Sequence, residues 1–425
     1  MSFAPAFVTD VELSMPLPDL VAPGADGVSS RYARARVLVR VHGVPVGMVD
    51  CQLLRGRMRS EHLRQAIHQA LTEEVATHAA MDGIVLDWTR DPPLALVTEP
   101  TCLLLQPAPQ QPRSVSLVIC TRDRPEELAR CLASLRAIAD PELEIVVVDN
   151  APSSDRTLRV VAACGDPRVR YTCEPRPGLS RARNYGVAAC SGEIVAFTDD
   201  DVIVDRLWLD ALVRGFGRSQ RVGCVTGCVP AAELETAAQE AFETKVGWGH
   251  RFFPELFDAL DADAEPLLPF RAGAVGAGAS FAVSRAALTE VGPFDEALGA
   301  GTLACGGEDL DFFSRVLLAG LVIAYEPASI AWHFHRRDEK AIRRQLVAYG
   351  TGLGAYATKQ VMGRRTRRAV FRRIPAALSR LAEISGVGRN AVPLPRGLRT
   401  AEIYGIIRGP VAYARSRRRR PGPWR

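Results

Sequence analysis

The chain has 425 residues, 47% of them hydrophobic, with 53 Lys and Arg against 48 Asp and Glu and a formal charge of +5. That length accommodates two or three domains with ordinary apolar cores, which excludes a disordered tail protein. Ten cysteines stand without a CxxC pair and no apolar run approaches the roughly 18 residues that span a bilayer, so the sequence predicts a reducing compartment, no zinc site, and a cytoplasmic protein, soluble or peripheral on the inner face of the cell membrane.

Residues 1–30, rich in Pro, Gly and small polar side chains, predict a loosely ordered N-terminal arm. Residues 36–41 alternate as a half-buried strand does, His42-Gly43 turns the chain, and residues 44–51 supply a second strand. Ser60 can N-cap a helix whose Leu63, Ile67, Leu71 and Val75 repeat every four residues. Together these predict a small α+β domain over 31–105, followed by a Pro- and Gln-rich linker at 106–113.

From residue 114 short apolar runs alternate with helical periods. Residues 115–120 read as a strand, and Thr121-Arg122-Asp123-Arg124-Pro125 opens a helix whose face is Leu128, Cys131, Leu132 and Leu135. Residues 144–148 end at Asp149-Asn150, residues 169–171 are a third strand, and residues 194–197 deliver Asp199-Asp200-Asp201. This rhythm predicts a parallel sheet, in which ligands bind beyond the carboxyl ends of the strands. Thr121, Asp149 and the three acids all fall at those ends.

Three adjacent carboxylates repel one another and lose hydration when buried, so a strand ending on them asks for a cation, and oxygen ligands suit Mn2+ or Mg2+. A solvated acidic turn is the alternative. Further along, Gly306-Gly307 precedes Glu308-Asp309 and an amphipathic helix bearing Leu310, Phe313 and Leu317. Acids there can take a proton or simply face the helix dipole. His333 and His335 follow a strand-like run at 321–325 and a Pro turn. The Gly-rich run at 273–278 precedes a strand instead of following one, which makes it a loop and not a dinucleotide fingerprint.

Six segments occur in a telling order: VSLVICTRDRP, EIVVVDNAPSSD, GLSRARNYGVAACSGEIVAFTDDD, GAGASFAVSRAALTEVGPFDEALG, GGEDLDFFSRVLLAG and AWHFHRR. The run 114–349 that contains them resembles the nucleotide-sugar-binding GT-A domain of family 2 glycosyltransferases. The resemblance implies an α/β fold, GT-A and Rossmann-like, a mainly parallel sheet with flanking helices, here joined to the small N-terminal α+β unit and a basic helical C-terminal region, 350–425. It implies that Thr121 and Arg122 line the nucleotide pocket, that Asp149 accepts a hydrogen bond from the base, and that Arg181, Arg183 and Asn184 border the donor. Asp199 would approach ribose or metal, Asp201 the metal, and Asp200 is the less defined member. Asp309 would be the base, with Glu308 its neighbour or an acceptor contact. His333 would lie near the metal or diphosphate, with His335 competing for that place. Residues 248–270, aromatic and acidic without a clean period, would shape the acceptor pocket.

The implied reaction is metal-dependent (Mn2+ or Mg2+), inverting transfer of a hexosyl or deoxyhexosyl group from a nucleoside-diphosphate sugar to a hydroxyl of a glycan or lipid-linked saccharide. A nucleotidyltransferase-like enzyme and a non-catalytic nucleotide-sugar-binding protein with a basic tail are the alternatives. Residues 341–425 hold 20 Arg or Lys against two acids, Glu383 and Glu402. Residues 360–385 mix apolar side chains with arginines, and 417–420 are all Arg, a pattern that suits an anionic membrane surface, a solvated basic tail or a domain-packing helix. No nucleic-acid-binding motif accompanies it, so no nucleic acid partner is expected.

Overall fold

The computed structural model describes residues 3–25, 30–94, 102, 114–364, 366–373, 375 and 396–418. Its N-terminal part comprises β1 (Ala6–Glu12), β2 (Leu20–Val21), β3 (Arg34–Val41), β4 (Val44–Gln52), β5 (Arg57–Met58) and α1 (Ser60–Met81). β1 pairs in parallel with β3 and β3 antiparallel with β4, while β2 and β5 form a separate ribbon. Val37, Val39, Val41, Val46 and Val49 bury one face of this sheet against Leu63, Ile67, Leu71 and Val75 of α1.

Residues 3–25 differ from the loose arm that the composition of 1–30 predicts. β1 runs in register with β3 from Ala6 opposite Arg34 to Glu12 opposite Arg40. Val11 and Leu13 are buried in the same core, and the Glu12 carboxylate accepts the amides of His42 at 2.9 Å and Gly43 at 2.7 Å. Burial of alternate side chains and two charged hydrogen bonds outweigh the Pro and Gly content around the strand. The linker expected at 106–113 lies outside the described residues.

The larger sheet starts with β6 (Val115–Thr121), α2 (Pro125–Leu135), β7 (Glu144–Asn150), α3 (Arg156–Ala163), β8 (Val169–Glu174), α4 (Leu179–Ala189) and β9 (Ile194–Asp199). It continues with β10 (Val202–Val204), α5 (Trp208–Gly215), β11 (Val222–Cys228), α6 (Ala237–Val246), β12 (Glu255–Phe257), β13 (Ser280–Ser284), α7 (Arg285–Val291), α8 (Glu308–Leu318) and β14 (Val322–His333). The strand order is β10-β14-β11-β13-β9-β6-β7-β8, with β12 on β14. β9, β6, β7 and β8 are mutually parallel and β13 is antiparallel to β9. Each central strand is apolar on both faces because helices cover both. Leu117, Ile119, Ile145 and Val147 pack with Leu128, Leu132 and Trp208, whereas Val118, Val146, Val148 and Phe197 pack with Phe281, Phe294 and Phe313.

β14 runs further than the short run and Pro turn predict. It passes Pro327 through an irregularity, with Gly227 opposite Glu326 and Cys228 already opposite Ile330. A bulge is where a strand tolerates a residue that cannot donate to the ladder, so the strand survives and carries Trp332 and His333 onward to pair with β10.

Two long helices complete the fold, α9 (Glu339–Met362) and α10 (Arg396–Arg418). They touch backbone to backbone. A Cβ on Gly350 would lie 2.2 Å from the Glu402 carbonyl oxygen, one on Gly354 2.3 Å from that of Ile406, and one on Gly405 2.3 Å from that of Val347. Leu398, Ala401, Ala412 and Tyr413 of α10 are buried, so this basic segment packs on the protein and is not a solvated tail. Its outer side exposes Ile403, Tyr404, Ile407 and Val411.

Alanine is the better helix former by about 1 kcal/mol. Gly354→Ala is nevertheless expected to destabilise the chain, by about 1–3 kcal/mol from overpacking, read as a lower denaturation midpoint. A raised midpoint would show that the two backbones are not in contact.

Candidate active site

Parallel register brings the polar strand ends together, with Thr121 opposite Asp149 and Cys120 opposite Asp199. Beyond β9 the chain turns at Asp200-Asp201 into β10, which sets Val202 opposite His333, and the Phe334 amide donates to the Asp201 carbonyl at 3.0 Å. The result is a cavity of about 1030 Å3 whose wall includes Asp199, Asp200, Asp201 and His333. One carboxylate oxygen each of Asp199 and Asp201 and one ring nitrogen of His333 lie within 4.8 Å of one another. His333 Nε2 is 3.3 Å from Asp201 Oδ1. Behind it, His333 Nδ1 meets His335 Nδ1 at 3.0 Å, and His335 Nε2 meets Glu243 Oε2 of α6 at 2.8 Å. His333 faces the acids, and His335 holds it from the rear.

Acids this close, with Asp200 and Asp201 buried and Asp199 partly exposed, cannot all ionise alike. Burial raises Asp199 and pushes Asp200 up to about 7, against the pull of Arg183 and Arg124 respectively. Burial opposes ionisation of Asp201 too, but His333 and Arg124 prevail and hold it well below the usual carboxylate range. Burial pushes His333 down, yet Asp201 and Asp199 outweigh it and keep the imidazole above its ordinary value. Arg124 is the hinge of this balance: Nη1 is 2.5 Å from Asp200 Oδ1 and Nη2 is 2.7 Å from Asp201 Oδ2. In the sequence Arg124 stands out only as part of a helix start. Two carboxylates and one imidazole, in a buried group with this much negative charge, are a donor set that fits Mn2+ or Mg2+.

Across the cavity stands the start of α8. Gly307, its N-cap, has φ 83°, and a Cβ there would lie 2.5 Å from the Gly352 carbonyl oxygen of α9, so only glycine permits this approach. Glu308 is buried with Oε1 3.0 Å from Arg183 Nη1. Arg183 also donates to the Gly278 carbonyl at 3.0 Å and reaches to 3.8 Å from Asp199 Oδ1, linking the two acidic groups. Its guanidinium lies over the rings of Phe281 and Phe294. Asp309 accepts the Gly278 amide at 3.2 Å and the Leu310 amide at 2.8 Å, and faces the cavity. Burial, then Asp309, push Glu308 up to about 7 despite Arg183.

The other expected site residues divide. Thr121 donates to Asp200 Oδ2 at 2.7 Å, and Thr121 and the exposed Arg122 both line the cavity. Asp149 is fully buried beside it; the Tyr171 hydroxyl donates to Oδ2 at 3.1 Å, Oδ1 has no hydrogen-bond partner among the described residues, and burial raises the acid. Arg181 pairs with Glu296 at 3.3 Å, and Asn184 is clasped to both backbone groups of Phe294 at 3.0 and 2.8 Å. Neither of these two is on the cavity wall, whereas Arg183 between them is. Trp248 and Phe270 come from the segment expected to shape an acceptor pocket, and the glycine run contributes Gly276 and Gly278. Tyr349, Leu353 and Tyr356 of α9, unforeseen in the sequence, close one side.

The chain matches the family model described as glycosyl transferase family 2 over residues 116–266. The succinoglycan biosynthesis protein ExoM of Rhizobium meliloti (strain 1021) is 30% identical over 247 residues, which are 54% of this chain and 73% of that protein. This chain belongs to the family 2 glycosyltransferases. Among other members, the pre-mycofactocin glycosyltransferase of Mycobacterium tuberculosis is 27% identical over 301 residues, 68% of this chain; the chain spans 59% of that relative's length. The mannosyltransferase PcManGT of Pyrobaculum calidifontis, solved with GDP-Man and Mn2+, is a looser likeness, 18% identical over 73% of this chain and 88% of its own, with a TM-score of 0.47. Asp199-Asp200-Asp201 form a DxD-like acidic element in a GT-A setting.

Glu308 binds its proton more tightly folded than unfolded, its pKa rising from an ordinary 4.5 to about 7. The stability this contributes is present below 4.5 and is lost as pH rises through about 7. Without added metal, the unfolding free energy of the chain should fall between pH 5 and 8, by up to roughly 3 kcal/mol, and Glu308→Gln should remove that part of the fall. Equal declines in the two proteins would assign the titration elsewhere.

Proposed function

We propose that the chain transfers one sugar, a hexose or deoxyhexose, from a nucleoside-diphosphate sugar to a hydroxyl of a glycan or lipid-linked saccharide, with inversion in a single displacement and with Mn2+ or Mg2+ as cofactor. The observation that carries this reading is the arrangement of one cavity: the Asp199, Asp201 and His333 set on one wall, the Glu308-Asp309 pair on the other, and buried Arg183 reaching both.

In this reading Thr121 and Arg122 flank the nucleotide, and Asp149, with its unpartnered Oδ1, accepts a hydrogen bond from the base. Asp201, Asp199 and His333 hold the metal, and His335 and Glu243 fix the ring that does so. A divalent ion there offsets the charge that develops on a departing diphosphate, with no proton donor required. Asp309, steadied by two backbone amides, takes the proton of the acceptor hydroxyl. Glu308 holds Arg183 in place. A single base supports inversion.

The product class is read from relatives named for succinoglycan biosynthesis, which points to polysaccharide assembly. The C-terminal helices support a lipid-linked acceptor at an anionic membrane. They build one cavity wall through Tyr349 and Leu353, and they expose Ile403, Tyr404, Ile407 and Val411 among the exposed Arg408, Arg415 and Arg417. Among the described residues no helix is long and apolar enough to cross a membrane.

Purified chain with UDP-, GDP- and dTDP-sugars, lipid-linked acceptors and Mn2+ is expected to release nucleoside diphosphate from one donor. Asp309→Asn should lower turnover about 10²–10⁴-fold while keeping metal-dependent nucleotide binding, and Asp201→Asn should lose both. Binding without turnover under all these conditions would overturn the transferase reading in favour of a non-catalytic one. For the membrane, the protein should float with vesicles containing anionic lipid and fail to do so as Ile407→Glu; flotation unchanged in that variant would remove the apolar ridge from the contact.

A further inference from the structure

A second convergence of ligating side chains lies in the N-terminal domain, far along the chain from the acids above. His42 stands at the β3–β4 turn, His78 on the last turn of α1, Asp82 just past that helix, and Cys102 on the segment that leads toward β6. Asp82 Oδ2 is 2.9 Å from His42 Nδ1 and 3.2 Å from His78 Nε2, and His78 Nε2 is 3.4 Å from Cys102 Sγ. One ligand atom from each of the four lies within 4.8 Å of all the others. The side chains of His42, His78 and Asp82 are only 5%, 3% and 2% exposed, and Cys102 is 2% exposed.

We propose that His42, His78, Asp82 and Cys102 bind one structural zinc ion. Zinc bonds of about 2.0–2.3 Å in a tetrahedron set ligand atoms about 3.3–3.8 Å apart, and the three close separations here lie at or just below that edge length. Two imidazoles, a thiolate and a carboxylate make a four-protein-ligand set, closed to substrate, and the sulfur favours zinc over the hard ions that suit Asp199 and Asp201. The backbone is arranged to the same end. His42 adopts φ 54°, a left-handed conformation uncommon outside glycine, and the turn is pinned there by the Glu12 carboxylate on the amides of His42 and Gly43. HisxxxAsp on the end of α1 places His78 and Asp82 one helical turn apart.

The ion would staple three segments at the junction with the transferase domain. Arg40, on the strand that ends in this turn, donates to the Gly43 carbonyl at 3.3 Å and pairs with Asp205 at 2.6 Å, just beyond β10. The turn that the zinc fixes is therefore the one that seats against the strand pair carrying His333. The absence of a CxxC pair hid the site, because its ligands come from four separate positions and only one is a cysteine.

The full chain, purified without chelator and passed through desalting, is expected to carry one zinc by elemental analysis, and Asp201→Asn should carry the same. Cys102→Ser and His78→Gln should lose it. Cobalt added to chelator-stripped wild type should give the strong visible absorption of tetrahedral Co2+ with a thiolate charge-transfer band, and that band should vanish in Cys102→Ser. Should a variant fail to fold, the wild-type cobalt spectrum still decides. Metal-free wild type that takes up neither ion, a cobalt complex without thiolate absorption, or Cys102→Ser that retains zinc would each overturn the proposal.

Discussion

The structure depends on how it accommodates three consecutive carboxylates, two of them buried, at the end of one strand. Asp199, Asp200 and Asp201 sit at the edge of an apolar sheet, where their ionised forms are poorly solvated and mutually repelled. Their compensation comes from three separate elements: Arg124 before α2, Arg183 in α4 and His333 at the end of β14. Each element has to bring its cation within reach of an acid, and that requirement constrains the geometry of the cavity. The outcome is graded, with Asp201 held ionised and Asp200 pushed toward the protonated form, so a further divalent charge would find an anionic oxygen already in place.

The core of the large sheet was legible because strands buried on both faces leave unbroken apolar runs, and because their ends fall on polar residues. β6, β7 and β9 are visible that way, as is the shared edge carrying Thr121, Asp149 and Asp199. What the sequence concealed was mostly three-dimensional. Within Arg181-Ala182-Arg183-Asn184 nothing local says which side chain turns to the cavity; the helical face that also buries Ser180 and Gly186 selects Arg183, and leaves Arg181 and Asn184 to hold Glu296 and Phe294. Arg124 was hidden because its partners lie more than 70 residues away. β1 was hidden by the composition around it, and the length of β14 by Pro327, since propensity cannot weigh a register shared with a neighbouring strand.

The C-terminal helices illustrate a signal that was present but read for charge alone. Gly350 and Gly354 recur four apart, as do Gly405 and Gly409, and each pair lines the contact between α9 and α10. Small residues at that spacing let two helix axes approach until backbone meets backbone. The same closeness recurs where Gly352 meets Gly306 and Gly307, so α9 presses on the loop that starts α8 and sets the direction in which Glu308 and Asp309 leave it. Helix α9 is thereby part of the machinery that shapes the cavity, and α10, packed against it, displays Arg408, Arg415, Arg417 and Arg418 on its exposed side.

Two sets of ligating side chains in one chain raise the question of what keeps their ions apart, and the answer lies in donor chemistry and access. The cavity set offers carboxylate oxygens with a single imidazole on the wall of a large opening, so a hard ion held there would stay open to water and substrate oxygen. The set at His42, His78, Asp82 and Cys102 is enclosed and contains sulfur, so it prefers a softer ion and offers no vacant position to a reactant. An ion there would act only through the turn it immobilises. That turn bonds through Arg40 to Asp205, next to the strand paired with β14, so an ion fixing the turn would bear on the base of the candidate site without any ligand being shared.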